Sequence, residues 1–333
     1  MRSHPEGFDE RDLMAALRDG WGLTEASAAY VPVGGGSYHW RADDAAGGRH
    51  WVTVDDLDNK EFLGGTRTAV LDRLRQAFGA ARRLRARGLE FVVAPVPTRG
   101  GAVVYPVGRR FAVTVFPYLA APAGQYGEPR PAAERAAVID VLVRLHSVNL
   151  GSGTVAQVTP EVPHRAELEM ALDAAGQPWS GGPYAERAGA LFARRAAEVG
   201  QALTTFDQLV RDVRAKGAEP VLTHGEPHPG NIIVSDGQTL LVDWDTLALA
   251  LPERDLWMLD RADERERYAE ASGRPVDDAA IRLYRSRWEL DDIASIVHAL
   301  RSPHDDNADS ARMWRAFAGS LELTGVWPYG RPA

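Results

Sequence analysis

The chain contains no cysteine, which removes disulfides, thiolate metal sites and cysteine nucleophiles together. It also lacks any stretch approaching the ~20 apolar residues that a membrane helix needs. Its first residues, Met1 to Asp12, are charged and carry no apolar signal core. Basic residues are in deficit as well. A net charge of −8 over 333 residues argues against general nucleic-acid affinity, which needs Lys and Arg to displace counterions from phosphates. These absences point to a cytoplasmic protein that engages neither membrane nor nucleic acid. What is present is ordinary for a globular chain: 45% hydrophobic and 25% charged residues, enough to bury a sizeable core in two lobes. The only biased segment is the Pro/Gly/Ala-rich run from Ala120 to Pro131.

Period and punctuation divide the chain. Phe8, Leu13, Met14 and Leu17 stand at helical spacing. From Tyr30 to Val54 the period shortens: Tyr30–Val33, Tyr38–Trp40 and His50–Val54 are separated by Gly34-Gly35-Gly36-Ser37 and by a turn at Asp43–Gly48. This predicts an antiparallel meander. Val70, Leu71, Leu74, Phe78 and Leu84 then mark one face of a helix over Thr66–Arg87, ended by Gly88. Apolar runs at 91–93, 102–105 and 111–116 are expected to complete a sheet of about five strands. Helices are expected over 131–148, 164–175, 184–215, 253–270, 277–300 and 307–321, interrupted by a strand-loop-strand unit at 221–243. Strands first and helices after describe an α+β chain.

The most informative run is Leu222-Thr-His-Gly-Glu-Pro-His-Pro-Gly-Asn231, followed by Leu241-Val-Asp-Trp-Asp245. Phosphoryl transfer needs such a set: one carboxylate beside the attacking hydroxyl, and an amide oxygen and second carboxylate that hold magnesium against the phosphates. A zinc reading of His224-x-Glu226-x-His228 competes, since His-x-Glu opens the nucleobase deaminase signature. Those enzymes take their remaining ligands from Cys-x-x-Cys, which this chain cannot supply. The glycine run at 34–36 would let backbone N–H groups approach phosphates, although a plain hairpin turn has the same letters.

The loop resembles the catalytic and metal-binding segments of the aminoglycoside phosphotransferase and choline kinase family, which shares the protein-kinase fold. That resemblance implies a bilobal architecture: a small antiparallel-sheet lobe with one long helix over residues 1–117, and a larger, mainly helical lobe over 118–333. It implies ATP or GTP bound with Mg2+ between the lobes, and a hydroxylated small molecule as acceptor, an antibiotic of aminoglycoside, aminocyclitol or nucleoside type. Glu226 takes the place of the proton-accepting acid; Asn231 and Asp243 take the places of the metal ligands. Gly34, Gly35, Gly36, Ser37 and Thr53 fall where the nucleotide phosphates are held, and Phe116 and Tyr118 where the hinge meets the purine. Asp245, Trp288, Glu289, Asp291 and Asp292 are the candidates for substrate contact.

Two letters depart from the family. Its His-Gly-Asp reads His224-Gly225-Glu226, one methylene longer, with Pro227 stiffening the loop. Its third-strand lysine is replaced by Thr53, and the helix that should carry the lysine's glutamate partner holds only Asp72. Lys60, Arg67 or Arg73 are the alternative sources of positive charge. These departures leave two further readings open: a catalytically weakened, pseudokinase-like binding protein, and a metabolic kinase for choline, homoserine or a sugar.

Overall fold

The structure is a computed structural model, and it describes residues 1–24, 26–125, 130–151, 153–259 and 261–322. Internal contacts gather the chain into two units, residues 1–157 with 221–250, and residues 158–220 with 251 onward.

The first unit opens with α1 (Glu10–Ala16), whose start is fixed by a capping box between Asp9 and Asp12. Strands β1 (Ser27–Val31), β2 (Tyr38–Asp43) and β3 (Arg49–Asp56) form the expected meander. A 3-10 turn, Leu57–Leu63, leads to α2 (Arg67–Ala86), capped by the Thr66 hydroxyl accepting from the Ala69 N–H. Strands β4 (Tyr105–Val107) and β5 (Phe111–Pro117) complete an antiparallel sheet of order β1-β2-β3-β5-β4. Side chains alternate across it. On β3, Val52 and Val54 enter a core with Phe8, Leu13, Leu17, Trp40 and Val113, leaving Thr53 and Asp55 on the opposite face. Burial of each such large apolar side chain contributes ~1.5–3 kcal/mol. Phe78 of α2 meets Phe116 edge-on at 5.5 Å.

Helix α3 (Ala132–His146) follows, then the segment that returns to this unit: β6 (Val221–Thr223), the hairpin β7 (Ile232–Ser235) and β8 (Gln238–Leu241), and β9 (Ala248–Ala250), which pairs with β6. The run 91–93 does not join the sheet as expected. The Val93 N–H donates to the Leu241 carbonyl at 3.0 Å, and the Leu241 N–H donates to the Phe91 carbonyl at 2.7 Å. That pairing ties the β7–β8 hairpin to the chain leaving α2, and internal contacts group the amino-terminal sheet with residues 221–250. Of the expected boundary segment 120–131, residues 126–129 lie outside the described residues.

The second unit is helical: α4 (Arg165–Asp173), α5 (Ala185–Ala215), α6 (Glu253–Leu256), α7 (Ala262–Ser272), α8 (Asp278–Arg301) and α9 (Ala308–Glu322). Its core gathers Leu168, Phe192, Phe206, Leu283, Leu290, Val297 and Phe317. The single helix expected over 253–270 is two, α6 ending at Leu256 and α7 starting at Ala262.

Candidate active site

The loop after β6 is built from the inside outward. His224 is fully buried, with its Nε2 2.9 Å from the Val242 carbonyl, while the Glu226 N–H donates to its Nδ1 at 3.2 Å. A carbonyl on one side and an N–H on the other fix a neutral ring with the proton on Nε2. Both nitrogens are spent, so His224 cannot ligate zinc; it is a strut, as its place before the acid suggests. Gly225 turns the chain at φ 102°, a conformation that strains any side-chain-bearing residue. The Asn231 amide nitrogen donates to the Glu226 carbonyl at 3.0 Å. Glu226 is thus pinned through its backbone at both N–H and C=O, and its half-exposed carboxylate moves only by side-chain rotation. His228 adds a second neutral imidazole, held down to about 4, chiefly by burial.

Asp243 sits just past β8 in the left-handed region, φ 62°. Trp244 beside it is fully buried, its indole donating to the Leu241 carbonyl at 2.9 Å, which anchors the turn carrying both aspartates. Asp243 remains open to solvent although protein crowds it on most sides. That crowding, with Asp245, Glu226 and Asp55 nearby, pushes its carboxyl well above the usual carboxylate range; Lys60 alone opposes.

Lys60 is the residue that motif reasoning left undecided. It is 1% exposed, with its Nζ 2.5 Å from Asp245 Oδ2 and 3.2 Å from Asp55 Oδ1. Burial by itself would drive the ammonium's pKa down. Asp245, Asp55 and Asp243 overturn that and hold it well above lysine's ordinary value, permanently charged. The Ser37 hydroxyl donates to Asp55 Oδ1 at 2.7 Å, and a Cβ added at Gly36 would stand 4.0 Å from Lys60 Nζ. Gly36, in the glycine run, therefore lies against the lysine. Relative to the family pattern the polarity is exchanged: the strand supplies the carboxylate, Asp55, and the turn after it supplies the ammonium. The sequence holds one usable signal for this. It has only two lysines, and the other, Lys216, is half-exposed and paired with Asp277 at 2.6 Å.

Several expected residues have other partners. Thr53 carries no charge to the site; its hydroxyl lies 3.3 Å from His39 Nδ1. Asp245, expected to face substrate, is buried and engaged by Lys60. Arg67 is spent at the surface on Asp58, 2.6 Å away, and Asp72 pairs with Arg75 at 3.0 Å. The Phe116 ring is buried and its backbone stands opposite Trp51 of β3 in the sheet; the Tyr118 ring lies 6.0 Å from the Arg49 guanidinium. Gly34 takes φ 72°, in keeping with a tight turn between β1 and β2. In the second unit, Trp288 packs on Trp257 at 5.4 Å. Asp291 accepts from Ser295 and pairs with Arg287, both at 3.2 Å, while Glu289 is exposed and Asp292 half-buried on the same helix.

The profile of the phosphotransferase enzyme family (APH) matches residues 52–290, a span that contains Lys60, Glu226, Asn231 and Asp243. The chain belongs to that family. This member is accordingly a phosphotransferase with a hydroxyl acceptor. Among curated proteins it is similar to protein StrN of Streptomyces griseus, 29% identical over 302 residues, covering 86% of this chain and 83% of that one. Its fold is that of a spectinomycin phosphotransferase solved with ADP and spectinomycin, with a TM-score of 0.72, 18% identity and 94% of each chain covered. An amicoumacin kinase solved with AMP-PNP and Ca2+ follows at TM-score 0.59 and 13% identity, covering 96% of this chain and 94% of that one. A choline kinase from Streptococcus pneumoniae stands at 0.55 and 14%, covering 94% and 98%. The likenesses to solved structures establish the protein-kinase-like α+β fold of this family member.

Proposed function

We propose that this phosphotransferase moves the γ-phosphoryl group of a purine nucleoside triphosphate to a hydroxyl of a small antibiotic, with an aminocyclitol of the spectinomycin type first among candidates. The reading is carried by one observation: the charged cluster Lys60, Asp55, Asp245 and Asp243, lying beneath the glycine run and on the same structural unit as Glu226 and Asn231. The acceptor class is supported by the structural neighbour that holds spectinomycin.

In this reading the acceptor hydroxyl is oriented by Glu226, which takes its proton as the new O–P bond forms and the bond to the nucleoside diphosphate breaks. The extra methylene relative to aspartate is absorbed because the Glu226 backbone is held on both sides. Lys60 stands where it offers positive charge to the phosphates, and the turn at Gly34–Gly36 offers backbone N–H groups. A loose transition state asks for alignment and charge more than covalent help.

The residues also fit a divalent cation. Four carboxylates, Asp243, Asp245, Glu226 and Asp55, face a single ammonium, and Asp55 Oδ2 is buried without a hydrogen-bond partner. Asp243 and Asn231 would hold Mg2+, whose contribution when bound is to neutralise charge on the phosphate oxygens.

The test is mass spectrometry of acceptors incubated with enzyme, Mg2+ and either ATP or GTP, using a panel of spectinomycin, aminoglycosides, nucleoside antibiotics, choline and homoserine. Gain of one phosphoryl group on spectinomycin or a close analogue is the expected result. Turnover confined to choline or homoserine would replace the antibiotic reading by a metabolic one. Nucleotide binding with no product on any acceptor would make the chain a binding protein.

A further inference from the structure

The second unit carries a cluster that the phosphoryl-transfer reading leaves unused. His164 stands immediately before α4, Glu167 lies in the first turn of that helix, and His298 projects from α8. One ligand atom from each lies within 4.8 Å of the others, and all three residues are half-buried. The imidazoles of His164 and His298 are stacked, with centroids 4.1 Å apart and planes 14° from parallel.

Three features set this cluster apart from a surface coincidence. The Glu167 carboxylate has no hydrogen bond or ion pair among the described residues; the nearby Arg301 guanidinium instead reaches the Glu167 backbone carbonyl, at 3.1 Å. The His164 ring likewise caps nothing and makes no hydrogen bond there. Finally, His164 holds φ 54° and ψ 24°, a left-handed conformation that costs an ordinary residue ~1–2 kcal/mol and is usual for glycine or asparagine. The contacts His164 does make are the stack on His298 and the nearby Asp291 carboxylate, and neither requires the strained backbone.

We infer that His164, Glu167 and His298 form a binding site for a first-row divalent cation of the Zn2+ type, clasping the start of α4 to α8. Two imidazoles and one carboxylate suit zinc, with a fourth position left for water. Zn–N and Zn–O bonds are ~2.0–2.2 Å, and two ring planes only 14° from parallel must tilt for both imidazole nitrogens to aim at one ion. Mg2+ prefers oxygen and dehydrates reluctantly, so this set discriminates against the ion expected at Asp243 and Asn231. The site uses none of the residues assigned to phosphoryl transfer, although Asp291 lies close enough to His164 to feel its charge, and its readout is metal binding, not turnover.

The experiment is zinc titration of the full chain, stripped with chelator, in saturating Mg2+, followed by calorimetry and elemental analysis. One zinc per chain is expected, with a visible absorption band when Co2+ replaces it. His164→Asn is the informative variant, because asparagine tolerates the left-handed backbone while removing the imidazole. It, Glu167→Gln and His298→Gln should each weaken binding by more than the ~10–100-fold that loss of a mere outer partner costs. Asp243→Asn and His228→Gln should leave the stoichiometry at one. Circular dichroism of each variant separates lost ligation from lost folding. Absence of zinc binding in the parent protein, or binding unchanged in well-folded His164→Asn and Glu167→Gln, would overturn the inference.

Discussion

A buried ammonium held by two carboxylates is costly to disturb. Lys60→Met should strand Asp55 and Asp245 as uncompensated buried charges and destabilise the chain by about 3–5 kcal/mol in urea unfolding. Adding Asp55→Asn and Asp245→Asn to that variant should recover most of the loss, since the penalty belongs to the unpaired acids. The triple variant should nevertheless bind nucleotide poorly, which separates the cation's structural role from its phosphate-holding one. At Glu226, replacement by Gln should lower kcat by ~10²–10⁴-fold with folding unchanged. A kcat that survives Glu226→Gln would remove the acid from the reaction. Its motif alone singles Glu226 out for that test. No motif singles out Lys60, because motif reasoning looked to a strand position and the chain delivers the charge from the next turn.

At the scale of elements, periodicity carried far where one face is buried. The helix expected over 66–87 is α2, Arg67–Ala86, with Thr66 as its cap. Thr66→Ala should therefore cost ~1 kcal/mol without altering the site, measurable as a shift in denaturation midpoint at constant slope. The long α5 and α8 were equally readable from apolar spacing. Short apolar runs were not. A run of three residues such as 91–93 reads the same whether its hydrogen bonds go to the amino-terminal sheet or to Leu241, since the partner is set by tertiary packing. The three-residue β9 went unread for the same reason. The cluster at His164 and His298 was invisible as well, because 134 positions separate two histidines that only the packing of α4 on α8 brings together.

For the molecule as a whole, two measurements probe charge that the fold confines. His39 is driven down to about 3, by burial first and then by nearby positive charge including Lys60. A histidine whose folded pKa lies below its unfolded value of ~6.5 takes up its proton mainly on unfolding. Stability should therefore fall as pH drops from ~6.5 toward 4, by at most about 1.4 kcal/mol per pH unit for this residue. His39→Gln should flatten that slope in pH-dependent thermal melts; an unchanged slope would exclude His39 as its source. Ligand linkage gives the second. Nucleotide at ~100 times its Kd should stabilise the fold by about 2.7 kcal/mol. That gain should need Mg2+ and vanish in Asp243→Asn, and a Mg2+-independent gain would argue against Asp243 as a ligand.

The exchanged polarity around Lys60 reaches beyond this chain. A survey that judges kinase-like sequences by a basic residue in the third strand would discard this one as incompetent, on the strength of Thr53. Asking instead for any basic side chain that meets the acid two places downstream, Asp55, would retain it.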